Sequence, residues 1–147
     1  MLREISVTQI QDLLPCLEAL DAHHNARSIY FSGTFPAQDN SLKLTKFAEA
    51  VKAGTSKIAV ITDDTSEEIQ GFCKIDFHED YGKLDYLVVL PAARHKGYGD
   101  RLMQWALAKF KNKNLHKIEV KVVYGNEALA FYDKYGFKIS SQILLKL

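Results

Sequence analysis

The chain is poor in the residues that build cross-linked or metal-clipped scaffolds: two cysteines, three prolines and one tryptophan in 147 residues. Cys16 and Cys73 are too few for a disulfide framework or a cysteine metal cluster, and read as reduced core thiols of a cytoplasmic protein. There is no surplus of one charge. With 19 basic and 18 acidic side chains the net charge is +1, so no global field argues for nucleic acid or an anionic membrane as partner. Long apolar runs are missing too: nothing approaches the ~20 residues that span a bilayer, and Met1-Leu2-Arg3-Glu4-Ile5 has no apolar signal region. The adjacent pair His23-His24 stands without an Asp, Glu or Cys cluster nearby, so no metal is expected. What remains is 47% hydrophobic and 25% charged, the composition of one globular domain over residues 1–147.

Patterning divides the chain. Leu2 to Val7 alternates loosely as a first strand. Thr8 and Gln11 form a capping-box pair ahead of Ile10, Leu13, Leu14, Leu17 and Leu20 at helical spacing, with Pro15 set to kink or split that helix. Ala22 to Asn40 is aromatic and polar without a period, and is read as irregular. Asn40 or Ser41 caps a second helix with the stripe Leu44, Phe47, Ala48 and Val51, ended by Gly54. Ile58 to Ile61 and Ile69 to Phe77 form a hairpin across a polar turn, and a second turn, His78 to Gly82, leads into Leu84 to Leu90, giving an antiparallel meander. A helix after Gly99 buries Leu102, Met103, Ala106, Leu107 and Phe110. Ile118 to Val123 is a strand, Asn126 to Tyr135 a short helix closed by Gly136, and Phe137 to Leu147 a terminal strand. The order is that of a mixed α/β domain with a parallel crossover around the helix after Gly99.

The chemistry concentrates at Arg94-His95-Lys96-Gly97-Tyr98-Gly99. A near-continuous apolar strand runs into a basic turn with two glycines that opens a strongly amphipathic helix, and a helix N-terminus so placed offers unpaired N–H groups to an anion. No Lys-Ser/Thr follows the second glycine, which excludes a Walker loop, and the turn comes after a meander rather than a first strand, which excludes a dinucleotide fold.

This stretch, Val88 to Gly99, resembles the central Gln/Arg-x-x-Gly-x-Gly/Ala motif of the GNAT superfamily of acyl-CoA-dependent N-acetyltransferases. Asn126-Glu127-Ala128-Leu129-Ala130-Phe131-Tyr132-Asp133-Lys134-Tyr135-Gly136-Phe137 resembles the superfamily's Asn-to-Tyr-to-Gly-Phe segment, in the right order and separation. The resemblance implies an α/β fold with a central mixed sheet of about six to seven strands, about four helices, and a parallel pair that splays at the cofactor site. It implies acetyl-CoA as cofactor, its pyrophosphate on the backbone N–H groups of His95, Lys96, Gly97, Tyr98, Gly99 and Asp100 with charge from Arg94 or Lys96. Its pantetheine arm lies along Leu87, Val88 and Val89, where the Leu87 N–H serves as oxyanion donor. Asn126 falls six residues before Tyr132, where seven is common, a shift of about 100° around a helix.

Acyl transfer to an amine needs a neutral nucleophile and a proton for the departing thiolate. Asp85 interrupts an apolar strand where the superfamily often has Glu or Asp, and is assigned the base, acting through a water because it is one methylene shorter than Glu. Tyr132 matches the tyrosine beside the coenzyme sulfur and is assigned the acid. The acceptor pocket is expected from His23, His24, Tyr30, Phe35 and Tyr81. The expected activity is direct transfer from acetyl-CoA to a small-molecule primary amine by a monomer or homodimer, since neither cysteine lies in a nucleophile motif. A protein or peptide acceptor and a non-catalytic acyl-CoA sensor are the alternatives.

Overall fold

A computed structural model describes residues 1–36, 38–122 and 128–146. Five strands form one sheet in sequence order: β1 Leu2–Glu4, β2 Ser56–Thr62, β3 Ile69–Phe77, β4 Gly82–Val89 and β5 Ile118–Val120. The first four pair antiparallel and β5 joins β4 in parallel. The helices are α1 Leu14–Arg27, α2 Asn40–Ala53, α3 Tyr98–Asn112 and α4 Leu129–Lys134.

Both faces of the sheet are covered, which explains the near-continuous apolar run of β2. Ile58 and Val60 face α1 and α2 together with Phe72 and Val88, against Leu13, Leu17, Leu44 and Phe47. Ala59 and Ile61 face the other way with Cys73, Ile75 and Leu84, against Leu102, Met103, Ala106 and Phe110 of α3 and Tyr132 of α4. Full burial of each large side chain contributes about 1.5–3 kcal/mol. Among the described residues no helix is long and apolar enough to cross a membrane.

Pro15 splits the first helix as expected: a 3-10 turn over Val7–Leu13 hands over to α1, which carries the proline in its first turn. Its cap is Ser6 rather than Thr8; the Ser6 N–H donates to Gln9 Oε1 at 3.3 Å, and the Ser6 and Thr8 hydroxyls bond each other at 3.0 Å. The expected irregular stretch from Ala22 begins six residues later, because α1 continues to Arg27 and closes through the Ser28 N–H on His24 O at 2.8 Å. Past Leu20 the turns persist on backbone bonds without an apolar stripe, Asp21 being the buried position there. Asp39 caps α2 by accepting from the Ser41 N–H at 2.7 Å, and Gly54 closes it in the left-handed region.

Among the described residues the sheet has five strands, fewer than the six to seven expected. β5 is paired only over Ile118–Val120, and Val123 lies outside the described residues. The expected terminal strand is not formed: residues 137–146 carry no regular structure, and Ile139, Ile143, Leu144 and Leu145 are exposed. Only Phe137 of this segment packs on the core. Its later apolar residues come as a run, Ile143-Leu144-Leu145, after three polar ones, so they do not alternate toward one face.

Candidate active site

Strand β4 carries one residue more than its partner. Ile75 of β3 opposes Leu84 and the next residue back, Lys74, opposes Tyr86, so Asp85 is the extra residue of a β-bulge. Side-chain parity therefore flips at Asp85. Leu84 packs toward α3, yet Tyr86 packs with Phe47 and Phe72 on the α2 side. Asp85 and Tyr86 both open onto one cavity as a result.

On its other side β4 loses its neighbour. The parallel ladder with β5 joins Gly82, Lys83 and Leu84 to Ile118, Glu119 and Val120, and among the described residues none pairs with Asp85 to Val89 on that edge. The Leu90 N–H donates to Gln70 O at 2.8 Å, toward β3. Since N–H groups alternate along a strand, those of Leu87 and Val89 point to the open edge and that of Val88 to β3. The Val89 carbonyl on the same open edge accepts from Arg94 Nε at 3.3 Å.

The glycine turn follows directly. A 3-10 turn, Pro91–Ala93, leads to Arg94, and then His95 and Gly97 take positive φ of 65° and 80°. These kinks curl the chain into the start of α3. Its first helical bond is Arg101 N–H to Gly97 O, which leaves the N–H groups of Tyr98, Gly99 and Asp100 outside the helix ladder. Arg94, His95, Lys96 and Gly97 are exposed. The Asp100 carboxylate is turned away and accepts from Lys134 Nζ at 2.8 Å and from the Tyr135 hydroxyl, tying α4 to the start of α3. The Lys134 and Tyr135 hydrogen bonds hold its pKa below the usual carboxylate value. Cys73 lies opposite Leu87, and Tyr132 packs at this face between Phe131 and Phe137; burial, with Cys73 adding, pushes the Tyr132 phenol up to about 12. Asn126 lies outside the described residues.

The cavity on the α2 side of β4 is about 470 Å³. Its floor is a chain of charges. Lys74, 5% exposed, places Nζ 2.6 Å from both Asp76 Oδ1 and Asp85 Oδ2, over the Phe47 ring. Ser56 Oγ donates to Asp76 Oδ1 at 2.5 Å, and Lys83 Nζ lies 3.7 Å from Asp85 Oδ1. Tyr86 forms a wall, its phenol pushed up to about 12 by burial and then by Asp85, Asp21 and Asp76. Lys43 and Lys46 of α2 also line the cavity.

His23, His24, Tyr30, Phe35 and Tyr81 do not line this cavity. On the last turns of α1, His24 packs edge-on against Phe35 at 5.0 Å and lies 6.2 Å from His23, and Asn25 holds the following loop, its Oδ1 accepting from the Gly33 and Phe35 N–H groups. Tyr81 is nearer: it stacks at 4.4 Å on His78, which is itself a lining residue. Among the described residues no group of His, Cys, Asp and Glu side chains is gathered to hold a metal. Lys74, Asp76, Tyr86, Lys43 and Lys46 are functional candidates that patterning missed. The available signal was the succession Phe72, Lys74, Asp76, which sets charge on a strand face that α2 covers.

The family description "Acetyltransferase (GNAT) domain" matches residues 54–139. A comparison with curated protein sequences found no match. Among solved structures, PaiA N-acetyltransferase from Thermoplasma acidophilum, in complex with coenzyme A, is 19% identical with TM-score 0.79, over 97% of this chain and 92% of that one. A predicted acetyltransferase with acetyl-CoA from Clostridium acetobutylicum is 18% identical with TM-score 0.78, over 100% and 95%. AAC(6')-Iy, in complex with the bisubstrate analogue CoA-S-monomethyl-acetylneamine, is 15% identical with TM-score 0.75, over 100% and 96%. At these identities the likeness is one of fold.

Proposed function

Because the chain belongs to the GNAT acetyltransferase family, we propose that it moves an acetyl group from acetyl-CoA to a primary amine of a small molecule, by direct attack in a ternary complex. One observation carries this reading: the bulge at Asp85 turns a carboxylate into a cavity on one side of β4, while on the other the Leu87 and Val89 N–H groups find no ladder partner among the described residues.

The residues present fit the cofactor. The kinked turn offers N–H groups from Tyr98, Gly99 and Asp100 and the exposed cations Arg94 and Lys96 to a pyrophosphate. The open edge at Leu87 and Val89 offers backbone partners to an extended amide chain, in the manner of an added strand. When bound, acetyl-CoA supplies an activated acyl group and a thiol leaving group.

The chain's own groups then divide the work. Asp85 takes the proton from the acceptor ammonium, through a water, because a group of pKa ~10 is otherwise mostly protonated at neutral pH. The Leu87 N–H, fixed by its strand, stabilises negative charge that develops at the open edge. Tyr132 keeps its proton across the working range and holds it for donation. The thiols support direct attack: Cys16 and Cys73 are buried, and burial raises the Cys16 thiol to about 11 and pushes that of Cys73 higher still, which disfavours a thiolate nucleophile at either.

The test is Asp85→Asn, assayed by thiol release against a panel of amines. Turnover falls by about 10²–10⁴-fold with acetyl-CoA affinity unchanged. Unaltered turnover removes Asp85 from the mechanism.

A further inference from the structure

Proton removal needs one carboxylate, yet the cavity beside Asp85 is lined by four further charged side chains, and those of α2 are not fully matched. Lys74 lies between Asp76 and Asp85, and Lys83 adds a second cation beside Asp85, so the two carboxylates of this group are formally matched. Lys83 reaches only one oxygen of Asp85, at 3.7 Å. On α2 the cations outnumber their partners. Lys43 is half compensated, with Nζ 3.9 Å from Asp21 Oδ1 in a contact where Asp21 also accepts from Asn40 at 2.9 Å. Lys46, one turn further along α2, is exposed and makes no ion pair among the described residues.

A neutral amine gains nothing from those lysines, and a polyamine would set a second ammonium against Lys46. A molecule with an ammonium at one end and an anion at the other satisfies both Asp85 and the α2 lysines. We propose that the acceptor is such a dipolar amine: its amino group lies at Asp85, and a carboxylate or phosphoryl-type group is held by Lys46 with Lys43. The placing of the amino group rests on the transferase reading above; the charge pattern is independent of it. The volume of about 470 Å³ admits chains longer than a single α-amino acid.

The experiment separates binding from turnover. Glycine, β-alanine, γ-aminobutyrate and aminopropylphosphonate, the amides of the three amino acids, and diaminopropane are titrated calorimetrically into the protein saturated with coenzyme A, and the same set is run in the thiol-release assay. At least one anionic amine binds about tenfold or more tightly than its uncharged counterpart and than diaminopropane, the worth of a charge-assisted hydrogen bond. Carboxylate against phosphonate identifies the anion preferred. In Lys46→Ala the ratio between anionic and uncharged members collapses toward one, whereas a merely structural lysine would weaken both and leave the ratio. Equal or reversed preference, or a ratio insensitive to Lys46, overturns the proposal even if thiol is released. A preserved preference without thiol release from any amine overturns the transferase reading while the dipolar site stands.

Discussion

Replacing Lys74 by methionine removes the cation shared by Asp76 and Asp85 and keeps an unbranched side chain against Phe47. Each Nζ–O separation is 2.6 Å, so at an effective dielectric of about 20 the gross attraction is about 6 kcal/mol per pair, much of it offset by the desolvation of Lys74. Breaking a fully buried pair costs about 3–5 kcal/mol. Here the carboxylates are 18% and 22% exposed, so water reaches them and the lower end, about 3 kcal/mol, is expected. For a chain of this size that corresponds to a fall of roughly 6–12 °C in Tm. Urea unfolding followed by circular dichroism measures it. The double variant Lys74→Met/Asp76→Asn regains part of the loss, since Asp76 no longer stands uncompensated while Asp85 keeps Lys83 at 3.7 Å, and it supplies folded protein in which kcat is still depressed because Asp85 has lost its nearer anchor. A cost below about 1 kcal/mol for Lys74→Met would refute the reasoning, placing the three charges in the class of solvated surface pairs.

Other outcomes follow from positions where space or charge is decisive. A Cβ on Gly82 would stand 2.4 Å from the Phe110 ring, so Gly82→Ala costs about 1–3 kcal/mol, and Phe110→Leu in the same chain recovers part of it; additive losses in that cycle contradict the contact. Gly97→Ala forces a side chain onto φ of 80°, costing about 1–2 kcal/mol and weakening coenzyme A in calorimetry, whereas Gly99→Ala meets Phe131 only at 3.6 Å and folds with little change. The Asp100 pKa is lowered, so its share of stability is complete above its ordinary value of 3.8 and is lost as pH falls through the folded value. Asp100→Asn therefore flattens the acid side of the stability profile, by a small amount because the side chain is 40% exposed, and acid titration of the melting temperature reads it.

The sequence already shows β3 from Ile69 to Phe77, the buried stripe of α3 and the parallel crossover, because each is a periodic pattern on a surface that one neighbour covers. It also shows Asp85 as an intrusion into an apolar strand and the glycine turn as a helix start. The bulge stays hidden, since it belongs to the register between two strands and to neither alone. Lys74 and Asp76 look like the solvated half of an alternating strand, and only the placement of α2 over them reveals a buried pair. Lys43 and Lys46 look like an ordinary polar helix face for the same reason. Gly82 reads as the end of a turn, while the ring it must clear belongs to Phe110, 28 positions later in the chain. The terminal segment misleads in the opposite sense: hydrophobic content resembling a strand does not form one without alternation and a neighbour to pair with.

The bulge also bears on how this protein tolerates length change. Deleting Asp85 alone would bring Leu84 and Tyr86 into register with Ile75 and Lys74 on an unbroken ladder, with every core side chain of β4 still on its present face. The shortened hairpin would be the more regular one, and Lys74 would retain Asp76. The extra residue thus shifts the side-chain frame of the sheet with no core side chain of β4 depending on it, so on the role proposed for Asp85 a single-codon deletion costs activity before it costs the fold.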